Sequence, residues 1–243
     1  MVGSEADTQE RRWQRLFTIA GVAAACTAVL IVVQIVVYAV WPPPATAIDP
    51  LALLRDRPLL GLLSLDLLYV IDNVLLIPIL LALFVALRRF DESVMSIGAT
   101  LGFVGVAALF ASNPAANMHY LAARFATAGS EAERAVLLAE GEAMLALNVG
   151  TAYHVSLILG SVALVVISVV MLRSGSFSRP TAVLGILANV LAFGLYLPVV
   201  GIYVLLFSTV LLLGWYVLIA AGFLRLGRGS AFVDAERRRA PTA

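Results

Sequence analysis

The chain has 243 residues, of which 62% are hydrophobic and only 13% charged, with a mean hydropathy of +1.00. Such a composition excludes an ordinary water-soluble domain and points to a membrane protein. The net charge of +1 makes no electrostatic case for a nucleic-acid partner. All sixteen basic residues are arginine, so neither a Schiff-base lysine nor a P-loop lysine is available.

The predicted elements are apolar stretches, and a span needs about 20 residues at 1.5 Å rise each. Six are expected, at about 16–41, 59–87, 94–112, 143–172, 181–196 and 202–224. The fifth is the shortest. Only helices or closed barrels satisfy the backbone in lipid, so the fold expected is all-α. The expectation is a polytopic six-helix transmembrane bundle forming one integral membrane domain over 1–243.

The first stretch follows Arg11, Arg12 and Arg15. Its apolar run is too long for a secretory signal, so it reads as a retained helix. Trp13 and Trp41 bracket it, as interfacial aromatics do. Cys26 lies inside it, cannot form an internal disulfide, and reads as a small packed residue.

Next comes WPPPATAIDPLALLRDRP. Pro42, Pro43 and Pro44 favour polyproline-type extension. Asp49 and Pro50 are expected to start a short interfacial helix from Leu51, with Asp49 as N-cap.

The second span carries Asp66, Tyr69, Asp72 and Asn73 on an arc of about 120°, so one face can hold all four. The third carries Gly98, Gly102 and Gly105, a small-residue seam suited to close helix approach.

Between the third and fourth spans lies the one sizeable segment outside the bilayer, about 114–142. Asn113-Pro114 reads as a cap followed by a first-turn proline. Met118, Leu121, Ala122 and Phe125 share a helical face. Gly129 ends that helix, and Ser130 with Glu133 forms a capping box for the next. The second helix carries Glu131, Glu133, Glu140 and Glu142 and is expected to run into the fourth span. The pair is expected to form an outer helical hairpin cap.

The fourth span carries Asn148, Thr151, His154, Ser161 and Ser168 on one broad face. The tail, 225–243, ends in Arg237-Arg238-Arg239 and reads as a disordered anchor near anionic lipid. With the N-terminus inside, twelve arginines fall on the inner side and four on the outer. That bias places both termini in the cytoplasm.

Depths along the helices match across spans. Asp72 lies about 24 Å from the level of Arg88, and His154 about 28 Å from that of Arg173. Gln34 is at a similar height, and Ser112, Asn113, Tyr196 and Thr209 are close. The reading is a polar layer in the outer half of the bundle. Its candidate residues are Asp66, Asp72, Asn73, His154, Gln34 and Tyr69. Intramembrane ionisable groups mark function by default. The alternatives are interhelical hydrogen bonding, a hydrated ligand or proton site, and a metal site. Metal is the weakest: there is no HExxH, no CxxC and no paired-His spacing. No catalytic residue, cofactor or resident metal is expected.

The run NPAANMHYLAARFATAGSEAERAVLLAEGEAMLA, the stretch SVVMLRSGSFSRPTAVLGILANVL and the closing LLLGWYVLIAAGFLRLG resemble an uncharacterised bacterial family of six-span membrane proteins, domain of unknown function 4386. DRPLLGLLSLDLLYVIDNVLLIPILLALFVALRR is similar to it as well. The resemblance covers about 16–226. It implies a multi-pass protein of the bacterial inner membrane and brings no activity or site residue with it.

Two function classes stay open. One is binding, transport or sensing of a small molecule or proton through the polar layer. The other is a non-catalytic accessory or assembly subunit, with the lipid bilayer, other membrane subunits or a second copy as partners. An intramembrane enzyme is third.

Overall fold

A computed structural model describes residues 2–40, 44, 46–65 and 67–228, with the side chains of the first helix from Trp13 onward. Among these residues every regular element is helical. Six helices are long and apolar enough to cross a membrane: Trp13–Val40, Leu67–Leu87, Glu92–Thr127, Glu131–Ser174, Arg179–Tyr196 and Gly201–Gly227. The protein is a multi-pass all-α membrane protein. Asp66, Trp41, Pro42 and Pro43, the last two expected to be extended, and the tail beyond Arg228 lie outside the described residues.

The first helix, α1 (Val2–Val40), is rich in Ala, Val and Ile. β-branched residues are poor helix formers in water, but in lipid every amide must be satisfied within its own segment, and that requirement wins. Phe17, Ala20, Ala24, Thr27 and Ile31 recur on one face and are buried. Ile19, Val22, Val29 and Val33 cover the opposite face and are exposed. Cys26 falls on that exposed apolar face, not in the packed interior as its small size suggested.

The chain divides into two compact units. The first comprises Met1–Val29, Leu75–Phe103 and Gly160–Ala243. It holds the first part of α1, most of α4 (Leu67–Leu87), the first half of α5 (Glu92–Ser112) and most of α8 (Thr151–Ser174). The whole of α9 (Arg179–Ala192) and α10 (Gly201–Gly227) belongs to it too. Gly98 and Gly102 of α5 are both buried. A Cβ on Gly102 would meet Leu80 at 2.8 Å and Ala163 at 3.6 Å, and one on Gly98 would meet Ile167 at 3.1 Å. The glycine seam is therefore a site of close helix approach.

At one end of this unit, the turn between α8 and α9 folds inward. Gly175 adopts φ +65, which a glycine takes without steric cost. Phe177 then packs edge-on against Phe223, with ring centroids 5.6 Å apart, and Phe17 stacks on the other side at 6.0 Å. Ser178 caps α9 by accepting the Thr181 N–H at 3.3 Å. The Arg88 guanidinium lies 5.9 Å from the Trp13 ring centroid, a cation–π contact. α9 tightens into a 3-10 turn, Phe193–Tyr196, and reaches α10 through Val199 at φ 68.

The second unit comprises Leu30–Val74 and Val104–Leu159. It contains α2 (Ile48–Asp56), α3 (Pro58–Ser64), α6 (Ala115–Thr127) and α7 (Glu131–Asn148). α6 and α7 form the expected helical hairpin. Met118, Leu121 and Ala122 turn their shared face onto Leu51, Leu54 and Leu137, with Phe125 packed alongside. The Ser130 hydroxyl accepts the Glu133 N–H at 3.1 Å, and the Glu133 carboxylate accepts the Gly129 N–H at 3.0 Å. The return bond thus lands one residue earlier than in the usual capping box.

Four boundaries differ from the sequence reading. α2 starts at Ile48, not after Asp49, because the Ala47 N–H finds an acceptor in the Glu142 carboxylate, 2.8 Å away. α6 has Pro114 at its N-cap position. Asn113, one residue earlier, still accepts the Ala115 N–H at 3.1 Å. The second and fourth apolar stretches are each broken. The second ends α3 at Ser64 and resumes as α4 at Leu67; the fourth ends α7 at Asn148 and resumes as α8 at Thr151.

Candidate functional site

Of the candidate residues, Asp72, Asn73, Tyr69, Gln34 and His154 all belong to the second unit. The break before α4 sets the geometry of the first three. Leu65 leaves helical geometry at φ -105, ψ 38, and its carbonyl accepts the Asn113 side-chain amide at 3.0 Å. The side chain stands in for the helical N–H that the break removes. α4 then begins at Leu67, so Asp72 and Asn73 fall in its second turn.

Both are buried, Asp72 at 8% exposure and Asn73 at 9%. Ile71 and Val74 flank them and are exposed. The polar pair thus faces the interior and the aliphatic pair faces outward. The Asn73 side chain donates to the Tyr69 carbonyl one turn earlier, at 3.0 Å. Asp72 Oδ1 has no hydrogen-bond partner among the described residues. An orphaned buried acceptor costs about 1–3 kcal/mol, and more when charged.

Gln34 is half-buried and donates to the Tyr38 hydroxyl at 3.2 Å, one turn along its own helix. His154 is half-buried in the first turn of α8. Its ring meets Tyr153 edge-on, centroids 5.5 Å apart. Ser112 is buried and closes on the Leu109 carbonyl at 2.8 Å. Tyr196, placed at this depth by residue counting, is largely exposed on the other unit. Among the described residues no three of His, Cys, Asp or Glu are grouped to hold a metal ion.

The apolar recess lined by Val37, Leu53, Leu60, Leu63 and Ser64 is in the same unit but presents almost no polar surface to a ligand.

No family model, curated protein or solved structure matches this chain.

Sequence reasoning saw Asn113 as a helix cap close to the level of the polar layer. Its second role, holding the Leu65 carbonyl, has no local signal, because the two residues are 48 apart. It likewise missed Thr27, Asn189, Ser208 and Trp215, which are all buried. Each is a lone polar group in an apolar run, and no spacing rule separates it from lipid-facing neighbours.

Proposed function

We propose that the second unit holds a proton or a small hydrogen-bond donor at Asp72, with the proton as the simplest occupant. The unpartnered Oδ1 of a buried carboxyl carries this reading. Two other candidate side chains have partners of their own: Asn73 bonds Tyr69, and Gln34 bonds Tyr38. A carboxyl group can accept at several lone pairs or, once protonated, donate one hydrogen bond. Asp66 and His154 complete the polar layer in this proposal. The wider role is binding, transport or sensing at the membrane, not catalysis.

The arginine asymmetry supports a placement in which both termini are cytoplasmic and the α6–α7 hairpin is outside. A bacterial inner membrane and kinship with the six-span family named above are parts of the same proposal.

Infrared difference spectroscopy of the purified protein tests the proton reading directly. The expected result is a carboxylic-acid C=O band that titrates with pH and disappears in Asp72→Asn, with helicity unchanged. The opposing result is an identical titrating band in Asp72→Asn. An Asp72→Asn variant as unstable as Asp72→Leu would point instead to a purely structural acid, as an accessory protein would carry.

A further inference from the structure

Four segments meet at one end of the first unit. The Arg88 guanidinium, just past α4, lies over the Trp13 ring of α1. A Cβ on Gly227 of α10 would stand 3.3 Å from the Gln14 carbonyl oxygen, so α10 closes against α1 at the same level. Phe177 of the α8–α9 turn docks on Phe223, which stacks on Phe17. These contacts bring Arg15, Arg88, Arg173, Arg179 and Arg228 to one end of the unit.

Among the described side chains of this unit the carboxylates are those of Asp91 and Glu92. Asp91 is engaged in accepting the Val94 N–H at 3.0 Å. None of the five arginines forms an ion pair among the described residues. The pairs Arg55–Asp56 and Arg134–Glu131 belong to the second unit.

Arg88 differs from the other four. They are exposed, whereas its side chain is half-buried. An arginine that only marks the inner side of a membrane can reach out to water. Arg88 instead lies back on two rings, 5.9 Å from the centroids of Trp13 and Phe84. None of its guanidinium N–H donors meets an acceptor among the described residues. A guanidinium set over aromatic rings keeps its planar fork for a bidentate oxyanion such as phosphate. The level is that of lipid headgroups: α4 is apolar from Val74 to Leu87, and charge begins at Arg88. Trp13 is an interfacial aromatic at the same level.

We propose that Arg88, held by Trp13 and Phe84, binds the phosphodiester of an anionic membrane lipid. Arg15, Arg173, Arg179 and Arg228 supply the attracting field around it. An arginine-rich face favours a lipid of net negative charge over a zwitterionic one, whose own cation it repels. The site lies in the other unit from Asp72 and holds for either orientation of the chain.

Thermal unfolding of the full chain in detergent tests this, with phosphatidylglycerol, phosphatidylcholine or inorganic phosphate added. Phosphatidylglycerol at about a hundred times its dissociation constant should raise the midpoint by about 5–10 °C. Phosphatidylcholine and inorganic phosphate should not. Arg88→Gln should lose most of that gain, while Arg173→Gln, which removes the same charge from an exposed position, should keep most of it. Equal losses in the two variants overturn the site and leave only a diffuse field. An equal gain from phosphatidylcholine or from inorganic phosphate overturns the anionic lipid as the ligand. Should Arg88→Gln not fold, Arg88→Lys decides, because it keeps the charge without the fork. A smaller gain is expected there, and an undiminished one overturns the assignment.

Discussion

The side chain of Asn113 holds the backbone carbonyl of Leu65 at 3.0 Å across 48 residues of sequence. Its other end accepts the Ala115 N–H at 3.1 Å. One amide therefore closes the gap between α3 and α4 and also starts α6. Asn113→Ala should lower stability by about 1–3 kcal/mol, because a carbonyl and an amide both lose partners. Asn113→Asp keeps the acceptor and loses the donor, so its loss should be the smaller. Thermal unfolding of the two variants in one detergent checks the order, and equal losses would refute the double role.

Ser130→Ala should cost about 0.5–2 kcal/mol by removing the N-cap of α7, whereas Ser130→Asp should be close to neutral. The hydroxyl is exposed and touches little else, so the loss should stay local. Hydrogen exchange is the suitable measurement. Faster exchange confined to the first turn after Ser130 is expected, and unchanged exchange there would remove the cap from the account.

The glycine seam on α5 should show graded tolerance. A methyl on Gly98 stands 3.1 Å from Ile167, and one on Gly102 stands 2.8 Å from Leu80. The contact on Gly98 is the looser of the two, so Gly98→Ala should be mild and Gly102→Ala worse. Gly102→Val should approach the overpacking range of about 1–3 kcal/mol. Unfolding midpoints that rank Gly98→Ala as the most damaging would contradict the packing described.

Val199 takes φ 68 at 92% exposure, a conformation that costs an L-residue roughly 1–2 kcal/mol. Val199→Gly should relieve that cost while adding about 0.5–1 kcal/mol of chain entropy. A net gain of up to about 1 kcal/mol is expected, visible as a raised unfolding midpoint. A clear loss of stability would mean that the turn is not left-handed there.

Topology is testable through the single cysteine. On a Cys26→Ala background, Ser130→Cys should react with a membrane-impermeant thiol reagent in intact cells. Reaction only after lysis would reverse the proposed orientation. The background is safe because Cys26 lies on an exposed apolar face and holds no packed position.

What the sequence determined by itself is everything set by composition and local periodicity. Six runs of apolar residues can only be helices in lipid. The face of Met118, Leu121 and Ala122, and the capping box at Ser130, are readable because their partners lie within one or two turns. The inward turn of Asp72 and Asn73 was legible too, since charge and amide avoid hydrocarbon. The tertiary structure alone decided the breaks in the second and fourth stretches. Nothing local to Leu65 ends a helix; Asn113, 48 residues on, makes the break affordable by supplying the missing donor. The start of α2 likewise depends on Glu142, 95 residues away from Ala47. The same holds for Ser168 and Trp215, which converge only because Gly185 lets three helices close in on one Cα. Hydrogen bonds between distant residues leave no period in the sequence, so packing alone reveals which polar groups meet.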